Sequence, residues 1–529
     1  MLRQEVSLAQ MKLILLFAIA AALLGQTLET KAPPTPKEKA RELLDAVAEA
    51  APGAKADVAA IALGYVAENY NEFDHKKAVE WLRQGFAITA GIAPSSRDAR
   101  ALVQSNLAMT ATKISLDDAI GMVEQIVPTG KLVGVDPRQR AIEAITAHLI
   151  EKGDLDRAVE LLNSLGSTGE YPFHAAQLVF EKLPAGDGRR EALFGYSMSA
   201  YGLRPGDDFV RFVGKHWKAL PRAQAVAAVG AILENTLKKK VESADQYTGT
   251  LTSDKGTVTF SDPQSIELFD VLYIVREVEP KRAAELLDTR FELKSALERF
   301  PKGRESMGEA VSWNMSFGSG KSDAPEQSLN GLADSRFAQA INLLGKIDEK
   351  ADAKTEKEQL EKALEMVKTI PLPDRRANAL GIIADGAGAE DPVLAKRLLS
   401  ECLEVIKDVK DVSLRQPIWD HAVGAAHAIH DDKLAWEAVD HSLSDATELY
   451  NKDTDADHPN AAIRDWWPST NANRRSVIAA TKAFGIEAEV ILQKITDPDL
   501  AVFARVEMAA TLLGHPRASW MTWVDTGGK

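Results

Sequence analysis

"AIEAITAHLIEKGDLDRAVELLNSL" runs from Ala141 to Leu165. Apolar residues recur at three- and four-residue steps on both sides of "KGD", the pattern of two amphipathic helices joined by a short turn. Gly153 marks the turn, and Ala158 stands early in the second helix, ahead of an apolar pair. A small Ala there lets two helices approach closely, while the neighbouring apolar residues fill the seam. One such hairpin cannot bury both of its apolar sides, so further copies must stack against it.

The copies are present. An Ala near a helix start, after an acidic or polar turn, recurs in "EFDHKKAVEWL" (Ala78), "ISLDDAIGMV" (Ala119), "VEPKRAAELL" (Ala283), "EDPVLAKRLL" (Ala395) and "DDKLAWEAV" (Ala435). With Ala158 included, the spacings are 41, 39, 125, 112 and 40 residues, and each long gap is close to three periods. A side chain in the preceding turn can accept from the free N–H groups of the helix start. A second landmark is an apolar residue, a Pro and an Arg-led helix, as in "LPRAQAVAAVG" (Leu220–Gly230) and "IPLPDRRANALGIIA" (Ile370–Ala384). Pro ends the helix before it, because the residue preceding it is pushed out of the α region. The chain therefore reads as all-α, with αα-hairpin repeats of about 40 residues stacked into a superhelix. An α/α toroid is the alternative, since the pattern leaves the curvature open.

The hairpin Ala141–Leu165 resembles the tetratricopeptide family of helix-turn-helix repeats. "ALGYVAENYNEFDHKKAVEWL" (Ala62–Leu82) follows the family more loosely, with Phe73 where its turn Gly is expected. The period here is nearer 40 than the family's 34 or so, and the family's Trp and Gly of the first helix are mostly missing. What the resemblance implies is a superhelical protein-binding scaffold, not a particular activity.

Outward from the repeats, Lys12 precedes the apolar run Leu13–Leu24 and a small residue, Gly25. That is the order of a secretory signal, and the run falls short of the roughly 20 apolar residues that span a bilayer. Residues 1–25 are thus expected to be a cleaved signal peptide, placing the mature chain in the periplasm or outside the cell. "QYTGTLTSDKGTVTFSDP" (Gln246–Pro263) alternates Thr with larger residues and predicts a projecting β-hairpin with a three- or four-residue loop. The Gly/Ser-rich stretch 316–331 predicts a linker between helical regions 26–315 and 332–529. A net charge of −14 excludes a sequence-independent nucleic-acid binder, which needs an excess of Lys and Arg. Cys402, the lone cysteine, lies in the apolar stripe "LLSECLEVI" and reads as a small buried hydrophobe.

Candidate chemistry concentrates in "DHAVGAAHAIHDDKLAWEAVDH" (Asp420–His441), which holds four of the ten histidines. His427 and His430 are three apart on one helix and share a face, while His421 lies on the opposite side and level with His441. Two pairs result, whereas zinc needs three or four ligands converging on one point. A metal set of His427, His430 and His441 therefore belongs only to the enzyme alternative, and no cofactor is expected. "NKDTDADHPNAAIRD" (Asn451–Asp465) starts like a calcium loop but has His458 and Arg464 where an EF-hand wants Gly and Glu. "GSGKS" (Gly318–Ser322) lacks both the first Gly and the leading strand of a phosphate loop. Trp466 and Trp467 are adjacent and cannot both face one seam, which makes the pair a candidate binding surface. The leading expectation is a non-catalytic scaffold for a protein or peptide partner. The alternative is a polysaccharide lyase or hydrolase on a toroid.

Overall fold

A computed structural model describes residues 33–93, 97–127, 137–165, 171–238, 247–253, 255–308, 311–317, 325–344, 353–453 and 463–516. The signal expected in residues 1–25, "GSGKS" and the middle of the acidic loop lie outside the described residues. The described chain is helical almost throughout, as the repeat pattern predicts.

The N-terminal helices are α1 (Pro36–Ala50), α2 (Ala56–Tyr70), α3 (His75–Ile88), α4 (Arg97–Ala111), α5 (Leu116–Glu124), α6 (Pro137–Glu151) and α7 (Leu155–Ser164). They continue as α8 (Phe173–Lys182), α9 (Gly188–Leu203), α10 (Asp207–His216) and α11 (Arg222–Lys238). Then follow α12 (Pro263–Val278), α13 (Pro280–Asp288), α14 (Phe291–Arg299) and the short α15 (Arg304–Met307). The C-terminal helices are α16 (Pro325–Leu344), α17 (Ala353–Lys368), α18 (Pro373–Ala387) and α19 (Pro392–Val405). The last are α20 (Val412–Ala428), α21 (Asp432–Lys452), α22 (Pro468–Phe484) and α23 (Pro498–Leu512). From α2 to α13, and again from α16 to α21, neighbours pair as hairpins whose first helices pack on one another.

The landmark Ala has a common geometry. Ala78, Ala119, Ala158, Ala395 and Ala435 are fully buried. Four residues before each stands an N-cap: Asp74, Ser115, Asp154, Asp391 and Asp431. Each cap side chain accepts from the amide three residues on, for example Lys77 N at 3.1 Å and Leu394 N at 3.0 Å. One local signal thus starts the second helix of a unit and sets its closest approach to the first.

The first and last helices of the described chain meet. α23 packs on α22 and α2 as the first helix of a unit would, and its partner in the hairpin position is α1. One repeat is therefore composite, with its first helix from the C-terminus and its second from the N-terminus. α2, lying between α23 and α4, is buried on nearly every side. The seam is tied by Lys39–Glu489 at 2.7 Å and His515–Glu72 at 2.8 Å. At its centre the Arg474 guanidinium, 1% exposed, lies 2.5 Å from Asp465 and 4.0 Å from Glu507. The rings of Phe503 and Tyr65 flank it at 4.5 and 5.1 Å. Burial works against its charge, but Asp465, Tyr65 and Glu507 hold Arg474 protonated, above its ordinary range. Beside it, the Arg464 amide donates to Asp57 on α2 at 2.9 Å, and burial pushes the Asp57 carboxyl upward against that bond.

Strands β1 (Tyr247–Ser253) and β2 (Gly256–Phe260) form the expected hairpin, with Ser253 opposite Gly256. Two residues therefore connect the strands, not three or four. A third strand, β3 (Ser312–Phe317), pairs antiparallel with β1 and gives the order β2-β1-β3. Sixty residues separate it from its partner, so no local turn signal announces it. Of the stretch 316–331 read as a linker, Ser316 and Phe317 end β3, and α16 begins at Pro325. Cys402 is buried with its Sγ donating to the Ala377 carbonyl at 3.3 Å, and burial pushes the thiol up to about 12. Among the described residues no helix is long and apolar enough to cross a membrane.

Candidate functional site

The hairpin α20/α21 carries the four histidines, and each has its own surroundings. His427 Nδ1 lies 3.1 Å from Asp432 Oδ1, and its ring meets the edge of Phe484, which stacks on Trp436 at 4.1 Å. His441 stacks on Trp419 at 4.9 Å; the Trp419 indole donates to Asp445, which also pairs with Arg415. His421 Nδ1 sits 3.1 Å from Asp385 of the preceding unit. The Asp385 carboxylate lies over Gly424, where a Cβ would stand 2.3 Å from it, so only glycine admits this contact. The pairing expected from helical geometry is therefore replaced by aromatic and carboxylate partners on neighbouring helices. Among the described residues no three His, Cys, Asp or Glu side chains gather closely enough to hold a metal ion.

Trp467, read as a candidate surface residue, is 4% exposed. The Arg464 guanidinium lies 4.1 Å above its ring and seals it inside the end seam. The side chain of Trp466 is outside the described residues.

His430 is different. It sits in the turn between α20 and α21 at φ 60°, the only non-glycine residue with positive φ among the described residues. The turn ends α20 by the Schellman pattern, with the Asp431 amide donating to the Ala426 carbonyl at 2.9 Å. The same bond recurs after α6, from Asp154 to Leu149 at 2.9 Å, and after α23, from His515 to Ala510 at 2.8 Å. At those two turns the left-handed residue is Gly153 or Gly514. A side chain in this conformation costs about 1–2 kcal/mol that glycine avoids.

This turn forms one wall of a groove of about 580 Å³, and the first turns of α19 form the other. Ile429, His430 and Asp431 line the first wall, and Val393, Lys396 and Arg397 the second. Val393 is 82% exposed. Lys396 and Arg397 make no ion pair among the described residues. Cations on other helices do pair across units: Arg83 with Asp118 at 2.7 Å and Arg157 with Asp117 at 2.6 Å. Sequence reasoning missed Val393, Lys396 and Arg397. The sequence does not single out His430 either, since the residue five before the landmark Ala is Phe73, Ile114, Val278 or Glu390 in other units and glycine only at Gly153.

No family model matches the chain, and no curated protein matches it. Among solved structures it is similar to a circular tandem repeat protein with novel repeat topology, at 11% identity and a TM-score of 0.24. That similarity covers 90% of this chain and 99% of the other. It is also similar to the Cut9-Hcn1 hetero-tetramer of the APC/C, at 13% identity and a TM-score of 0.15, covering 82% and 92%. The repeat architecture rests on the chain's own helices: it is a helical-repeat protein built from stacked αα-hairpins.

Proposed function

We propose that this protein is a non-catalytic helical-repeat scaffold that holds a protein or peptide partner, exported by the signal read in residues 1–25. The groove between α19 and the α20–α21 turn carries this reading. It displays an exposed apolar side chain beside two cations that nothing within the described chain neutralises. Buried polar groups elsewhere are committed to structure, as Arg474 and Asp465 are at the end seam. The mature chain, immobilised and challenged with an extract of its own compartment, should retain a partner saturably and turn nothing over. Retention of nothing across a range of salt would overturn the reading.

A polysaccharide lyase or hydrolase on a closed toroid is the second reading. Its support is the composite unit, which joins the two ends of the chain. Depolymerisation of a polysaccharide by the purified chain would bring it to first place.

A further inference from the structure

We propose that the groove between α19 and the α20–α21 turn binds an acidic peptide segment carrying an aliphatic side chain, an inference that rests on the partner-binding reading above. Charge is the first argument. Lys396 and Arg397 stand next to each other on exposed positions of α19, unpaired among the described residues, in a chain whose net charge is −14. The nearest acids do not oppose them freely. Asp391 caps α19 by accepting from Leu394 N at 3.0 Å, and Asp431 caps α21 by accepting from Leu434 N at 3.1 Å. Asp431 keeps its charge while capping, so the lining holds two cations against one carboxylate, a small positive excess in an acidic chain.

Shape is the second argument. Val393 on one wall and Ile429 on the other bracket an apolar strip, which suits a Leu, Ile or Val side chain. Backbone conformation is the third. The two other turns closed by this bond use glycine, Gly153 and Gly514, at the left-handed position, and here a histidine at φ 60° stands on the groove rim. A strained residue on the rim of a groove is a candidate for ligand contact. His430 thus supplies a ring N–H to an acceptor of the peptide, while Lys396 and Arg397 hold its carboxylates.

The test uses the full chain and a fluorescein-labelled Glu-Asp-Leu-Asp-Glu peptide, read by anisotropy. Two comparison peptides replace the Leu by Gly or all four acids by Lys. The structure predicts saturable binding of the first peptide, at least about tenfold weaker binding of either comparison, and loss on raising the salt. Lys396→Glu with Arg397→Glu should lose the peptide while leaving the melting temperature unchanged, since both side chains are exposed. His430→Gly should do two opposite things: raise the melting temperature by relieving the turn, and weaken the peptide severalfold. A turn residue with no role in binding would give the first effect alone, and that result overturns the assignment of His430. Equal binding by the wild type and the double variant overturns the site. If the peptide does not bind, but the wild type and the double variant retain a compartment partner equally, the groove assignment falls and the scaffold reading stands. If neither peptide nor partner is bound, both fall.

Discussion

The hairpin α6/α7 and the composite unit α23/α1 are the same object built in two ways. In the first, both helices are contiguous, a glycine turn joins them, Asp154 caps the second, and Ala158 sets the contact. In the second no short turn joins the helices, which come from opposite ends of the described chain, although each has its own cap, Thr35 on α1 and Asp497 on α23. Beside it, where Arg474 on α22 meets α23 and α2, the end seam buries both partners of an ion pair almost completely, whereas Arg83–Asp118 and Arg157–Asp117 of the contiguous units lie nearer the rim. Contiguity makes the pairing of two helices nearly automatic, since a short loop costs little entropy to close. An end-to-end joint lacks that advantage, so its specificity has to reside in the groups themselves.

The largest expected effect loosens the end seam, where Arg474 on α22 meets α23 and α2. Arg474→Met leaves Asp465 and Glu507 as uncompensated buried charges and should cost about 3–5 kcal/mol, measured by denaturant unfolding. Adding Asp465→Leu should recover much of that loss. No recovery would show that the ion pair is not what the seam depends on. In the contiguous unit the corresponding loss is smaller: Asp154→Ala removes one cap and should cost about 1 kcal/mol.

The comparison was half visible in the sequence. Each contiguous unit advertises itself through the cap, the buried Ala and the Pro before the Arg-led helix, all within about 15 residues. The end seam does not, because the residues it joins, such as Asp57 on α2 and Arg464 before α22, are some 400 positions apart and carry no shared spacing. β3 escaped for the same reason. At the candidate site, spacing alone paired the histidines, but Trp419, Phe484 and Asp385 decided where their rings went. Trp467 misled as well, since a pair of tryptophans does not reveal which one a distant arginine will cover. The left-handed backbone of His430 is likewise hidden, because Phe73, Ile114, Val278 and Glu390 hold the same position in other units without it.

Acid sharpens the contrast further. Burial alone would raise Glu181 on α8, but Lys215, Gln177 and His216 bring its carboxyl down to about 2 from an ordinary 4.5. A depressed carboxylate contributes stability that is complete above the unfolded value and is lost as pH falls from about 4.5 towards 2. Glu181→Gln should therefore flatten the pH dependence of the melting temperature in that window. The effect is modest, because the group is partly exposed and screened. The smallest effect belongs to the rim. Arg83→Ala should move the melting temperature little at low salt and not at all in 1 M salt. A large shift there would mean that rim charges, and not capped helices, hold the contiguous units together.

The joint between α1 and α23 also has a consequence for biosynthesis. About 450 residues separate α1 from α23, so the apolar face of α1 stays uncovered until α23 has also been made and delivered to where the chain folds. A chain that ends early never receives α23, and the buried surface of α2 stays open to proteases. Concealment of α2 thus waits on α23, the last helix of the described chain.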